Sequence, residues 1–272
     1  MAISLAICGA CGRMAGQVLR RAYESKDFDI VAAIDSDDSP SIGSDAGYAL
    51  GIPPIGVNIT PAKDLKKTLQ ETKPQILVEF TTPEASVKNA RVAAELGIDY
   101  ILGTTGMTKA QLSNVGSLVK NSKIRAIISP NFSVCVNLFF KLAKEAAELL
   151  DGYDIELIEA HHRFKKDSPS GTGKKILEAV MEATDRTEKD LVHGRVGLLG
   201  ERSDREIGVH SIKAGDIVGD HTLLFSNIGE RFEIRHQAHS RDTFAFGCLR
   251  AAKWLAGQKP GLYDMFDVLD MK

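Results

Sequence analysis

The residues with the most chemical potential in this sequence stand together from Glu159 to Thr172, Glu-Ala-His-His-Arg-Phe-Lys-Lys-Asp-Ser-Pro-Ser-Gly-Thr. An imidazole titrates near neutrality and can give or take a proton, and His161 and His162 are followed at once by Arg163, Lys165 and Lys166. Ser-Pro-Ser-Gly-Thr adds capping hydroxyls and backbone N–H groups at a helix start, a ready site for a carboxylate or phosphate. Together these groups suit a small acidic substrate that needs a proton. The competing view is a solvated basic loop with structural histidines. Zinc binding fits less well, because adjacent histidines on an extended chain point to opposite faces and no third partner is evident.

The flanking sequence must position this run. Asp154 to Ile158 alternates like a strand, and Lys175 to Val180 repeats like an amphipathic helix, so the polar residues are expected on a strand-to-helix turn. At the other end of the chain, Ile3 to Cys8 predicts a strand, Gly9-Ala10-Cys11-Gly12-Arg13-Met14 a turn, and Ala15 to Tyr23 a helix. Glycines there allow backbone N–H groups to approach a pyrophosphate at a helix N-terminus. Asp35, at the end of the next strand (Ile30 to Ile34), stands where a dinucleotide ribose is held.

The alternation continues with a helix from Pro61 to Glu71, a strand from Gln75 to Phe80, and a helix from Pro83 to Leu96 capped by Thr82. Strands Tyr100 to Leu102 and Ile124 to Ile128 enclose a helix opened by the capping-box pair Thr108 and Gln111. The expected fold class is therefore α/β, with an N-terminal Rossmann-like doubly wound parallel sheet whose ligands lie beyond the strands' carboxyl ends. After a helix from Val134 to Leu150 the pattern changes. Gly208 to Ile212, Ile217 to Phe225 and Phe232 to His239 read as strands without intervening helices, which predicts a second, α+β domain with a mixed or antiparallel sheet. Phe244 to Leu255 returns to helix.

The whole is compatible with a soluble protein of ordinary composition, 272 residues with 43% hydrophobic and 26% charged. A formal net charge of -2 argues against nucleic acid or a membrane surface as partner, and no apolar run approaches the roughly 20 residues of a membrane helix. Four cysteines fit a reducing, cytoplasmic setting. Cys8 and Cys11 form a CxxC, read here as two small buried residues rather than a redox or metal pair, so no metal is expected.

The order from Glu159 to Thr172 resembles the active-site motif of the dihydrodipicolinate reductase family, and the resemblance extends over essentially the whole chain. It implies reduction of 4-hydroxy-tetrahydrodipicolinate in the diaminopimelate route to lysine, with His161 and Lys165 catalytic and His162, Gly171 and Thr172 binding the substrate carboxylates. Gly103-Thr104-Thr105 and Ser129-Pro130-Asn131-Phe132, at strand ends, look like the family's cofactor loops on the nicotinamide side; Ser129-Pro130 replaces what is often a pair of alanines. Lys213 and Asp220 replace an arginine and a glutamate in a further motif and are left outside the candidate set. The family terminus packs back on the cofactor domain, which implies a dinucleotide-binding domain of residues 1–132 plus 243–272 and a substrate-binding and oligomerisation domain of 133–242. Where several family members carry an arginine after the ribose-binding acid, this chain has Ser36. A carboxylate without an adjacent cation repels a 2′-phosphate, so NADH is expected to be preferred, with NADPH possible through Arg13. A homo-oligomer, a tetramer in the family, is likewise implied. Two alternatives share the glycine turn and Asp35: another two-domain NAD(P)-dependent amino or keto acid dehydrogenase, and a non-catalytic NAD-sensing protein.

Overall fold

The computed structural model describes residues 2–272, which divide into two compact units, residues 2–133 with 242–272 and Val134–Arg241. The first unit opens with β1 (Ile3–Cys8), α1 (Ala15–Glu24), β2 (Phe28–Asp35), the short α2 (Ala46–Ala49), β3 (Ile59–Pro61) and α3 (Leu65–Thr72). It continues through β4 (Ile76–Glu79), α4 (Pro83–Leu96), β5 (Asp99–Leu102), α5 (Lys109–Ser122) and β6 (Arg125–Ile128). Every residue of β4 and β5 is buried, as befits central parallel strands covered on both faces. Local chemistry sets the helix ends. Thr82 accepts from Ala85 N ahead of Pro83, Gly97 closes α4 in the left-handed conformation, and Thr108 and Gln111 form a capping box on α5.

The second unit contains α6 (Val134–Leu149), β7 (Asp154–His161), α7 (Gly171–Ala183), β8 (Leu191–His193), β9 (Ile207–Lys213), β10 (Gly219–Asn227) and β11 (Glu230–Ala238). Its sheet runs β11-β10-β7-β9-β8. β10 pairs antiparallel with β11 and β7, while β7–β9 and β9–β8 are parallel, so the sheet is mixed. Ile155, Leu157, Val209, Leu223 and Phe225 are buried; α7 packs on β7 and α6 on both α7 and β11.

The chain then returns to the first unit with α8 (Asp242–Ala256), β12 (Gly261–Tyr263) and α9 (Met265–Val268). β12 completes a seven-stranded sheet of order β12-β6-β5-β4-β1-β2-β3, all of whose pairs are parallel. The order reverses between β1 and β4, the topological switch at which such sheets bind ligands.

Three expectations need correction. Pro61 ends β3 rather than opening a helix; a 3-10 turn (Ala62–Asp64) intervenes and α3 starts at Leu65. An edge strand is open to proline because one side of its ladder is unpaired. β7 runs past Ile158 to His161, since the inward positions Ile155 and Leu157 are followed in phase by Glu159 and His161, and polar residues on an inward face do not read as strand. Cys8 is buried but Cys11 is exposed, because Cys8 ends a buried strand and Cys11 lies on the outward turn after it.

Among the described residues no helix is long and apolar enough to cross a membrane. α8 lies so close to the end of the first parallel segment that a Cβ on Gly247 would stand 1.7 Å from the backbone oxygen of Phe132. Gly247→Ala must therefore displace backbone, and a loss of about 1–3 kcal/mol is expected from overpacking. Chemical denaturation of the variant measures it; an unchanged midpoint would show that the contact yields freely.

Candidate active site

The second unit's polar run begins inside its sheet. The strand register sets His236 on β11, His221 on β10, Glu159 on β7 and Ser211 on β9 in one row. Glu159 is 1% exposed. Its carboxylate accepts from Ser170 N at 2.9 Å, Ser170 Oγ at 2.5 Å and Ser211 Oγ at 2.8 Å, and His221 Nε2 stands 3.6 Å away. Ser170 is also the N-cap of α7, its Oγ accepting from Gly173 N. One buried carboxylate thus joins the strand carrying His161 to the helix start carrying Gly171 and Thr172.

His161 ends the strand, 8% exposed, with its ring edge-on to His221 at a centroid distance of 5.2 Å. His162 is half-buried, and its Nδ1 is enclosed with no hydrogen-bond partner among the described residues. Lys165, half-buried, pairs with Asp167 at 2.9 Å. The turn is braced from β9 and the loop after it. Ala214 N donates to His161 O (2.9 Å), Arg163 N to Gly215 O (3.1 Å), and Lys213 Nζ to the carbonyls of Lys165 (2.8 Å) and Lys166 (3.3 Å). Ser211 and His221 are supports of this turn that residue patterns did not single out, while Glu159, Ser170 and Lys213 stood in the quoted motifs without an assigned supporting contact. The hint available was the buried-face phase of Glu159.

Not every N–H at the start of α7 is open to a ligand. Ser170 N is taken by Glu159 and Gly173 N by Ser170 Oγ, while Gly171 is exposed and Thr172 half-buried. Glu159, His161 and His221 bring ligand atoms within 4.8 Å of one another, but the carboxylate already accepts from both serines.

Electrostatics follows from burial. Burial, then the neighbouring His221 and the ammonium of Lys165, push His161 down from 6.5 to about 4, against the opposing pull of Glu159 and Asp167. The unliganded imidazole is therefore neutral at pH 7. Burial by itself would raise Glu159, yet the bonds from His221, Ser170 and Ser211 prevail and draw it from 4.5 down to about 2.

In the first unit the candidate residues stand at the carboxyl ends of β1, β2, β5 and β6. Gly9 has φ 79°, and a Cβ there would meet Phe80 O at 2.5 Å, so both conformation and space require glycine. Ala10 is buried, Met14 half-buried, and Cys11, Gly12 and Arg13 are exposed before α1, whose start has no side-chain cap. Asp35 accepts from Cys11 N at 2.6 Å and Ser36 N at 2.7 Å, so its carboxylate already holds the glycine turn. Gly103 is closed in by the Phe80 ring, and Thr104 Oγ1 accepts from Thr81 N, while Thr105 is exposed. Ser129 Oγ donates to Asn131 O, Pro130 is exposed, Asn131 Oδ1 accepts from Ser133 N, and Phe132 packs edge-on to Phe80. An uncapped helix start behind a left-handed glycine, with an acid ending the next strand, fits a dinucleotide: phosphates at the N–H groups, ribose hydroxyls at Asp35.

Parallel sheet, glycine turn and acid define a Rossmann-type pyridine-nucleotide oxidoreductase. Family descriptions narrow this: "Dihydrodipicolinate reductase, N-terminus" matches residues 3–132 and "Dihydrodipicolinate reductase, C-terminus" residues 135–269. The chain belongs to the dihydrodipicolinate reductase family. It is 47% identical over 269 residues to the 4-hydroxy-tetrahydrodipicolinate reductase of Methanothermobacter thermautotrophicus, covering 98% of both chains, and 45% identical to that of Methanosarcina acetivorans, covering 99% of this chain and 100% of the relative. Among solved structures, dipicolinate-bound dihydrodipicolinate reductase from Paenisporosarcina sp. TG-14 superposes with a TM-score of 0.78 at 25% identity, over 98% of this chain and 99% of that one. The amine dehydrogenase of Mycobacterium smegmatis, at 15% identity and TM-score 0.62 over 96% and 94% of the two chains, shares the fold.

The depressed values fix a direction for acid sensitivity. Stability contributed by neutral His161 is complete above pH 6.5 and is lost as pH falls toward about 4; that from ionised Glu159 is complete above 4.5 and is lost toward about 2. Replacing His161 with Asn is expected to flatten the melting temperature against pH between 6.5 and 4 while leaving the steeper fall below 4.5. An unaltered slope across the upper window would show that His161 is not the group responsible.

Proposed function

We propose that the chain reduces 4-hydroxy-tetrahydrodipicolinate to tetrahydrodipicolinate, with loss of water, using NADH or NADPH, in the diaminopimelate route to lysine. The observation behind this is the tie, through Glu159 and Ser170, between the strand that ends in His161 and the helix start at Gly171 and Thr172. Departure of the 4-hydroxyl with a ring proton as water would leave a conjugated ring, to which a bound nicotinamide would supply a hydride, leaving negative charge there for one proton to balance. His161 is the general acid that delivers the balancing proton, a role worth roughly 100- to 10,000-fold in rate. Lys165 stabilises the developing charge. His162, the backbone of Gly171 and the hydroxyl and backbone of Thr172 hold the carboxylates, so that binding energy orients the ring.

An acid with a resting value of about 4 is poorly stocked with protons at neutral pH. A bound dicarboxylate corrects this, since adjacent negative charge favours the imidazolium. Binding and protonation are then linked, and the dicarboxylate loads its own proton donor.

Asp35, followed by Ser36 and with both oxygens already turned to backbone N–H groups, supports a preference for NADH, while exposed Arg13 leaves NADPH usable. Its free cysteines accord with a reducing cytoplasm, and a homo-oligomer, a tetramer as in the family, is the proposed assembly; gel filtration with light scattering tests it.

Four measurements test the function. NADH consumption is expected with the condensation product of pyruvate and aspartate semialdehyde and not with a panel of keto acids; turnover confined to the panel would refute the substrate. His161→Ala and Lys165→Ala should each lower kcat by roughly 100-fold or more, in line with loss of a positioned acid or charge stabiliser, and near-wild-type kcat would remove them from the chemistry. The decline of kcat with rising pH should lie at higher pH than that of kcat/KM, because the first reports the substrate complex and the second the free enzyme; coincident profiles would contradict substrate-driven protonation. A kcat/KM strongly favouring NADPH would overturn the assigned cofactor preference.

A further inference from the structure

The first unit contains a second buried carboxyl that the proposed chemistry does not use. Glu79 ends β4 and is 0% exposed. Four segments converge on it. Thr81 Oγ1 donates to Glu79 Oε1 from the turn after the strand, Ser86 Oγ to the same oxygen at 3.3 Å, and Asn89 Nδ2 to Oε2 at 2.8 Å, the last two from α4. From the loop after β5, Gly103 N donates to the Glu79 carbonyl at 2.9 Å. Cys8, the last residue of β1, is paired in register with Glu79, and Phe80 N donates to the Cys8 carbonyl.

Ser86 and Thr81 extend the network to Thr104, whose Oγ1 accepts from Thr81 N at 3.0 Å and stands 2.8 Å from Ser86 Oγ, able to donate to it while Ser86 donates to Glu79. Tyr100, fully buried, donates to the Ser86 carbonyl and fixes that turn of α4 from below. Thr81 and Thr104 are therefore not independent loop residues. Both hydroxyls are set by one carboxyl on the ligand side of the sheet, next to the glycine turn and the Phe80–Phe132 pair.

We propose that Glu79 is a positioning residue for the pyridine nucleotide, holding the Thr81 turn and the Gly103–Thr105 loop in the arrangement that receives the cofactor's nicotinamide half. This rests on the assignment of Gly103, Thr104 and Thr105 as a cofactor loop. Burial raises the Glu79 carboxyl above its ordinary range, against the bonds from Thr81, Asn89 and Ser86; either protonation state keeps an oxygen to accept from the hydroxyls, so glutamine can substitute and alanine cannot.

The test uses the full chain with Glu79→Ala, Glu79→Gln, Thr104→Val and Asp35→Ala, each checked for folding by near-UV circular dichroism. Read-outs are the Kd for NADH from nicotinamide fluorescence, and KM for each substrate against kcat. Glu79→Ala should raise the NADH Kd about 10-fold or more, the scale of leaving buried donors without an acceptor, with kcat at saturating NADH within about threefold. Glu79→Gln should recover most of that affinity, and Thr104→Val should shift Kd in the same direction as alanine. If Glu79→Ala does not fold, Thr104→Val carries the test, and an unchanged Kd in that variant overturns the proposal. A folded Glu79→Ala that binds NADH as the wild type does overturns it as well. Should Asp35→Ala weaken binding in that case, the placement of the cofactor survives and the role of Glu79 alone falls; should neither change Kd, both fall.

Discussion

A carboxylate buried at the edge of an apolar layer governs the second unit. An ionised carboxyl taken out of water is costly by several kcal/mol unless hydrogen bonds replace its hydration. Glu159 meets that requirement with donors from two separate elements, Ser170 at the start of α7 and Ser211 on β9, and with His221 alongside. Withdrawing any of these elements would strand the charge. The helix start, β9 and the strand carrying His161 are thereby locked to one another, and the gap between His161 and the start of α7 is set by strand and cap rather than by a free loop. Preorganisation of this kind is what positions reactants without further ordering when substrate arrives.

The same arrangement limits the proton chemistry. His161 lies two residues beyond Glu159 on one face of β7, close enough to feel its charge, yet burial, His221 and Lys165 prevail and the ring rests neutral at pH 7. A permanently charged imidazolium would bind any anion and would be costly to keep buried. A neutral ring that a dianion charged on binding would discriminate by charge as well as by shape, because ligands with less negative charge would restore less of the proton.

Much of this was legible in the sequence because it is carried by periodicity and caps. The parallel sheet follows from strands that alternate with capped helices, the mixed sheet from strands that do not, and the Thr108–Gln111 box forms as its spacing predicts. Glycine at position 9 is required by a positive φ and by the Phe80 carbonyl, so the turn was visible too. What escaped were features set by tertiary partners. Short edge strands such as β3, β8 and β12 are defined by their neighbours' registers rather than by their own few residues. The extension of β7 escaped because its last inward positions are Glu159 and His161, which look like loop until Ser170, Ser211 and His221 are seen around them. Lys213 binds carbonyl oxygens, and a backbone acceptor leaves no trace in residue identity. The pattern of His161, His162 and Lys165 could propose an acid, but not that its resting state is neutral.

Comparing the two buried glutamates shows why position alone does not settle a carboxyl's charge. Glu79 and Glu159 are equally hidden from solvent, at 0% and 1% exposure, and both accept from hydroxyls. Glu79 is shifted upward and Glu159 down to about 2. Burial outweighs the hydrogen bonds at Glu79, whereas at Glu159 the hydrogen bonds prevail over burial. Glu159 adds a backbone N–H at a helix N-terminus, where the helix dipole favours negative charge, and an imidazole nearby, whereas Glu79 adds an amide from Asn89 and lies beside the buried thiol of Cys8 and the phenol of Tyr100, neither of which brings positive charge. One site therefore favours a fixed anion beside His161, and the other disfavours charge on the carboxyl beneath two loops.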